Sequence, residues 1–320
     1  LPHTPHLILT SLPGKLAVVT THFNPAGYER GRCNFNAFAE GMQKQGADLW
    51  TAEVAFGKDK FYLPSNEKTI QLRTEDIIWQ KEAALNVLIA SLPKEYDKVA
   101  WVDADLIFNN DNWLNETSSI LEEYPAVQCF DTLLSLSQTG NSYSRIKTSV
   151  GFSVKNSLPG FSNLFYYHPG CAWAGRRDIF EKYKLYHGHI TGGGDSLMTM
   201  GFCKWHNHLY ITDYLNKPML KHFKKWANRI YPSIRGKISY VSGSINHLWH
   251  GDYANRRYEQ RIEMLKNNDF DPQTDIKIGD NGLLQWATDK PRLHHAVRGY
   301  FWERQEEGVQ GISEPVSATA

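Results

Sequence analysis

Residues 16–21 (LAVVTT) are a short β-branched run bounded by Gly14 and by Asn24-Pro25, which predicts a strand. In residues 32–45, Phe35, Phe38, Ala39 and Met42 recur at helical spacing and Gly46 stops the pattern, so a helix is expected there. Residues 48–56 read as a second strand. Over residues 75–92, Ile77, Ile78, Ala84, Leu85, Leu88, Ile89 and Leu92 share the apolar face of a long helix that Pro93 ends. A third strand, residues 98–102, runs straight into Asp103-Ala104-Asp105. A helix over 113–123 and a strand over 126–130 follow. Strands and helices in alternation predict an α/β fold, a mostly parallel sheet covered by helices. Ligands of such sheets sit beyond the carboxyl ends of strands, where Asp103 and Asp105 fall.

The pattern weakens over residues 132–163, which are rich in Ser, Asn and Gly; a stretch this long without periodicity predicts a functional or mobile loop. Regularity returns with a strand at 171–174 and a helix at 177–183. Gly192-Gly193-Gly194-Asp195 then leads into an apolar helix over 196–202, and 209–212 read as a further strand. Residues 221–237 are basic with interleaved aromatics, read first as an exposed helix and loop. The tail after Gln305 is expected to be disordered.

Composition narrows the class. Hydrophobic residues make up 41% of the 320, enough for a full core. Lys and Arg number 35 against 34 Asp and Glu, so no global field marks a nucleic-acid or membrane binder. Aromatics at 13% suit sugar rings or bases, although a large core accounts for most of them. Cys33, Cys129, Cys171 and Cys203 are far apart with no Cys-x-x-Cys pair, which favours buried free thiols over two disulfides. No run approaches the ~20 apolar residues of a membrane span. Residues 1–13 lack a basic segment followed by an apolar one, so the expectation is a cytoplasmic chain; the missing initiator Met leaves a removed leader or anchor open.

The chemistry concentrates in three places. Asp103 and Asp105, one residue apart where a strand breaks into a loop, can both turn toward one cation, and oxygen ligands suit Mn²⁺ or Mg²⁺. On its own Asp-x-Asp is usually a solvated turn; the apolar strand before it and Leu-Ile-Phe after it favour the metal pair. His247 and His250 flank Leu248-Trp249 further on, followed by Arg256, Arg257 and Arg261. A guanidinium can grip a diphosphate, though three on a helix are more often a solvated face. Asp195 stands at a predicted helix start, where the plain reading is an N-cap. His206 and His208 near Cys203 match no zinc spacing.

The run WQKEAALNVLIASLPKEYDKVAWVDADLIF (79–108) resembles the centre of the GT-A glycosyltransferases, in which a helix bearing an Asn precedes a hydrophobic strand ending in Asp-x-Asp. TTHFNPAGYERGRCNFNAF (20–38) resembles the same group's first strand and base-binding loop, and GCAWAGRRDIF (170–180) its acceptor-side strand. The resemblance spans residue 16 to about residue 261, and it is most specific around the Asp-x-Asp.

It implies a GT-A-like, Rossmann-type, mostly parallel sheet with a C-terminal acceptor-side portion. The divisions expected are an N-terminal extension (1–15), a nucleotide-sugar-binding half (16–130), an acceptor half of the same domain (131–265) and a C-terminal extension, partly disordered (266–320). It also implies a metal site of Asp103, Asp105 and His250, with His247 the alternative. Thr21, His22, Asn24, Tyr28, Arg73, Lys81, Asn86, Ala104 and Arg256, with Asp103, are the expected contacts of a nucleoside-diphosphate-sugar donor, UDP being the family's commonest nucleotide. Asp195 is the expected base of an inverting transfer, with Trp173, His189, Gly193 and Gly194 around the acceptor. Gly194 stands where the family often has an acid, so Asp195 would act alone. The acceptor class is open among a glycan, a protein side chain, a small molecule and a hydroxylated DNA base. Nucleotidyl transfer shares the paired carboxylates but lacks its lysine in Asn24-Pro25-Ala26-Gly27. A lectin-like or nucleic-acid-binding protein has no use for Asp103, Asp105, Asp195 and His250 together.

Overall fold

The computed structural model describes residues 9–158, 167–205 and 209–307. The chain runs β1 (Lys15–Phe23), α1 (Glu29–Lys44), β2 (Leu49–Phe56), β3 (Thr69–Thr74), α2 (Lys81–Ser91), β4 (Tyr96–Val102), β5 (Leu106–Phe108), α3 (Trp113–Ile120) and β6 (Ala126–Gln128). Then come β7 (Thr132–Leu136), β8 (Tyr143–Ser149), α4 (Val150–Lys155), β9 (Tyr167–His168), β10 (Ala172–Arg176), α5 (Arg177–Tyr183), α6 (Gly194–Phe202), α7 (Leu209–Tyr214) and α8 (Lys217–Ile234). The last portion holds β11 (Ile238–Tyr240), β12 (Ser244–His247), a 3₁₀ turn (Tyr253–Arg256), α9 (Gln260–Asn267), β13 (Ile276–Ile278), β14 (Leu284–Trp286) and α10 (Pro291–Glu303).

Seven strands form the main sheet in the order β11-β6-β10-β4-β1-β2-β3. Only β10 opposes its neighbours, β4 and β6, so the sheet is mostly parallel, as the alternation predicts. Side-chain alternation along the strands divides the core in two. Ala17, Val19, Val99, Trp101 and Trp173 face the layer of α2, α5, α6 and α8, where Leu85, Phe180, Met198 and Phe223 pack. Val18, Ala100, Val102 and Ala172 face α1 and α3 through Phe38, Met42 and Trp113.

Several expectations are corrected. Residues 75–80 are not helical; α2 begins at Lys81, and Ile78 is buried ahead of it. Residues 132–158 are not a loop but β7, β8 and α4, with β7 and β8 paired antiparallel in a second sheet of order β5-β12-β7-β8-β9; residues 159–163 lie outside the described residues. Residues 209–212 belong to a helix, not a strand. The basic stretch is α8, whose Phe223, Ala227, Ile230 and Ile234 are buried, and Trp226 donates to the Lys184 carbonyl (3.0 Å), so neither aromatic is free to stack on bases. The cysteines are free, but Cys33 is exposed and Cys203 half-buried. Residues 266–303, set apart above as an extension, supply β13, β14 and α10, and α10 buries Leu293, Val297, Tyr300 and Phe301. Of the tail, Glu306 is held by Arg304 (2.6 Å); residues 308–320 lie outside the described residues. Among the described residues no helix is long and apolar enough to cross a membrane.

Candidate active site

A cavity of ≈ 800 Å³ opens beyond the carboxyl ends of β1 and β4, and Asp103, Ala104, Asp105, Asp195, His247 and His250 all line it. Backbone pairing explains why these residues meet. β4 ends at Val102, and the Asp103 amide then donates to the carbonyl of Cys171 (2.9 Å). Cys171 sits at φ 78, a left-handed backbone that a side chain rarely adopts and that is met mostly where function requires it. Two residues on, the Asp105 carbonyl accepts from Leu248 (2.9 Å), while β5 and β12 pair with His247 opposite Leu106. His247 and His250 are thereby delivered to Asp105.

Ligand atoms of Asp105, His247 and His250 all lie within 4.8 Å of one another. Nε2 of His250 is 3.2 Å and Nε2 of His247 is 3.5 Å from Asp105 Oδ2, and the two Nε2 atoms are 2.9 Å apart. Asp105 Oδ1 is buried without a hydrogen-bond partner, a costly state for a carboxylate oxygen. Burial alone would raise the Asp105 carboxyl; the facing imidazoles and Arg256 outweigh it and hold the group well below the usual range. Burial, then Arg256, pushes His250 down to about 4. An ionised carboxylate beside the neutral His250 imidazole is the protonation state a divalent ion requires, so these residues fit one.

Asp103, expected as the second metal ligand, is turned toward Lys81 instead. The Lys81 Nζ stands 2.5 Å from Asp103 Oδ1 and 3.1 Å from Asp195 Oδ2, bridging the two carboxylates. Burial raises Asp103 to about 6 against the pull of Lys81, and raises Glu82, next along α2, to about 8. Burial would lower Lys81, but Asp103 and Asp195 hold it well above its ordinary value. Lys81 was expected at the donor; it has carboxylates on two sides.

Asp195 occupies the first turn of α6, and the N-cap is Gly193, not Asp195. Gly192 (φ 80) and Gly193 (φ 92) both need left-handed backbone, which glycine adopts without penalty. Gly194 leaves no room for a Cβ beside the Glu82 carboxylate, and a Cβ on Gly170 would come 2.9 Å from Asp195 Oδ2. Glycines therefore let Asp195 reach the cavity.

The other expected residues divide. Thr21, His22, Asn24, Gly193 and Arg256 line the cavity. His22 packs edge-on to Phe35 (4.9 Å) and against Tyr62 (5.6 Å), and burial, then Arg32, lowers it to about 4. Asn24 spends its side chain on the backbone of Tyr28, whose hydroxyl in turn donates to the Trp302 carbonyl (2.7 Å). Tyr28, Arg73, Asn86, Trp173, His189 and Gly194 are not part of the cavity wall. Asn86 clasps the backbone of Leu185 in both directions. Arg73 donates to the carbonyls of Gly57 and Asp59. Trp173 is buried, giving its Nε1 hydrogen to the Pro169 carbonyl (2.7 Å). His189 is buried behind Gly193, and His206 and His208 lie outside the described residues.

Sequence reasoning missed the Lys81 bridge, the full part of His247, and the contribution of the C-terminus through Arg304 and Glu306. One signal was available: Leu293, Val297, Tyr300 and Phe301 recur at helical spacing after Pro291.

No family model matches this chain, and no curated protein matches it. Among solved structures it is similar to the catalytic domain of Drosophila β1,4-galactosyltransferase 7 in complex with xylobiose, at 14% identity over 88% of this chain and 98% of that one, with a TM-score of 0.41. A mutant of the same Drosophila enzyme with manganese, UDP-Gal and xylobiose gives 13% identity, 87% and 98% coverage, and a TM-score of 0.40. The 4-diphosphocytidyl-2C-methyl-D-erythritol synthase of Anaerococcus prevotii gives 11% identity, 72% and 87% coverage, and a TM-score of 0.35. At identities this low, what the site does rests on its own residues.

Proposed function

We propose that the cavity transfers a sugar from a nucleoside-diphosphate donor, UDP by the resemblance of the sequence, to an acceptor hydroxyl. One observation carries the reading: Asp105, with a buried oxygen lacking any partner, converges with His247 and His250 on the wall of the cavity that also receives Asp195. The three would hold a divalent ion, and their two imidazoles favour Mn²⁺ over Mg²⁺. When bound, the ion supplies positive charge for a leaving diphosphate. His22, with Phe35 and Tyr62 behind it, offers a flat flank for the nucleotide base.

Asp195 is the base. Its carboxylate lines the cavity, where it would accept a proton from an acceptor hydroxyl. The acceptor oxygen then bonds to the anomeric carbon as the carbon–oxygen bond to the diphosphate breaks, which inverts the centre. Asp103 is kept beside the ion site by Lys81, and release of that pairing would make it a further ligand.

Release of the nucleoside diphosphate by water tests this without a known acceptor. Purified protein with Mn²⁺ is expected to liberate UDP from at least one UDP-sugar, and EDTA or Asp105→Ala to abolish the release. Turnover that persists in EDTA or in Asp105→Ala would refute the reading.

A further inference from the structure

Three arginines, Arg256, Arg261 and Arg304, line the cavity, and all are at least nine-tenths buried. Two share a carboxylate: Glu306 lies 3.4 Å from Arg256 and 2.5 Å from Arg304. Arg261 has no such partner. Among the described residues no carboxylate lies within ion-pair reach of it; its Nη1 donates to the Tyr300 hydroxyl (3.0 Å), its guanidinium lies over the Tyr258 ring, and its Nε is buried without an acceptor. A buried guanidinium without a counter-charge is expensive, and a cavity-facing one invites an anion.

The surroundings are also short of partners. Nε1 of Trp79 and Oγ1 of Thr191 are buried and unpaired, and neither ring nitrogen of His189 makes a well-formed hydrogen bond. All stand at the glycine turn that precedes Asp195: Gly193 leaves only 2.9 Å between an added Cβ and Arg261 Nη2, and Gly192 lies against both Trp79 and Arg261. Arg261 is thus on the side of Asp195, whereas Arg256 contacts His250 and stands nearer the ion site.

We infer that Arg261 is an anion receptor beside the base, and that the sugar bound there carries a carboxylate or a phosphate separate from the donor's diphosphate. The inference rests on the sugar-transfer reading only in calling the ligand a sugar. A bidentate guanidinium contact in a water-poor wall distinguishes an acidic sugar from its neutral counterpart by about tenfold or more in affinity.

Calorimetry with methyl β-glucuronide, glucose 6-phosphate and the neutral methyl β-glucoside, in the presence of UDP and Mn²⁺, tests it. At least one acidic probe is expected to bind about tenfold or more tightly than the glucoside. Arg261→Gln should erase that preference, and Arg261→Lys should keep part of it, while UDP affinity stays within about threefold. Equal binding of all three sugars to the wild-type protein would overturn the inference, as would a preference that survives in Arg261→Gln. Loss of UDP affinity in place of the acid preference would also overturn it, by assigning Arg261 to the diphosphate. If Arg261→Gln fails to fold, the wild-type comparison and Arg261→Lys still decide. UDP that does not bind at all, with the acid preference intact, would sink the proposed function and leave the anion receptor standing.

Discussion

Lys81 is the residue on which the charge balance of the site turns. Its ammonium meets Asp103 and Asp195 at 2.5 and 3.1 Å, with Glu82 beside it. Burial keeps Glu82 protonated near neutrality, so one cation answers two carboxylates and the cluster retains a net negative charge. Lys81→Met would leave two half-buried carboxylates without a partner. In metal-free protein the loss should be about 1–3 kcal/mol, seen as a lower urea midpoint, and Mn²⁺ should recover part of it. An unchanged midpoint would show that Lys81 does not hold the two acids together. At this scale the sequence was legible where chemistry is local: Asp103 and Asp105 follow a strand, and His247 and His250 stand three positions apart with a Trp between them. It placed Lys81 at the donor and Arg261 at a diphosphate or on a solvated face, and missed their actual neighbours, because these come from residues more than a hundred and about seventy positions away, Asp195 for one and Gly193 for the other.

Among elements, those with strong period were read correctly and those whose form is imposed by neighbours were not. β1, α1, β2 and β4 follow apolar runs that bury on contact with the sheet. Residues 75–80 carry an apolar pair that fits the α2 pattern, yet the amide of Trp79 bonds to the Ile190 carbonyl (3.3 Å), so the segment joins the glycine turn and the helix starts later. β8 alternates too weakly to reveal itself, since its residues are largely polar and its partner β7 supplies the order. β10 is read from small residues, and Gly175 shows why they are needed: the Phe180 ring of α5 fills the space a Cβ would take. Gly175→Ala should therefore cost about 1–3 kcal/mol, measured as a lowered denaturation midpoint. Because Gly175 pairs with Val99, well before Asp103 on β4, UDP–Mn²⁺ affinity of the folded variant should be unchanged. A variant as stable as the wild type would mean that the Phe180 contact yields freely.

Taken as a whole, the molecule builds one cavity from segments spread along most of its length. The ends of β1 and β4 border it, α6 supplies Asp195, β12 and its following turn the imidazoles, and the C-terminal segment Arg304 and Glu306. Contacts run around its rim from Asp105 through His250, Arg256, Glu306 and Arg304 to the Tyr300 hydroxyl and Arg261, so the wall nearest Asp105 is tied to the wall nearest Asp195. The alternation of strand and helix foretold the sheet, but not that Arg304 and Glu306, just after α10, would reach the cavity, because a segment's use in a cavity depends on packing that no local pattern records. The central claim is that Asp105, His247 and His250 hold a divalent ion beneath a nucleoside diphosphate. Electron paramagnetic resonance of free Mn²⁺, titrated with protein and UDP, tests it most directly. The account predicts one bound Mn²⁺ per chain, with affinity weakened about tenfold or more by Asp105→Ala and by His250→Ala and unchanged by Arg73→Ala, whose side chain lies away from the cavity wall. Mn²⁺ bound equally well by wild type and Asp105→Ala, or not bound at all, would contradict it.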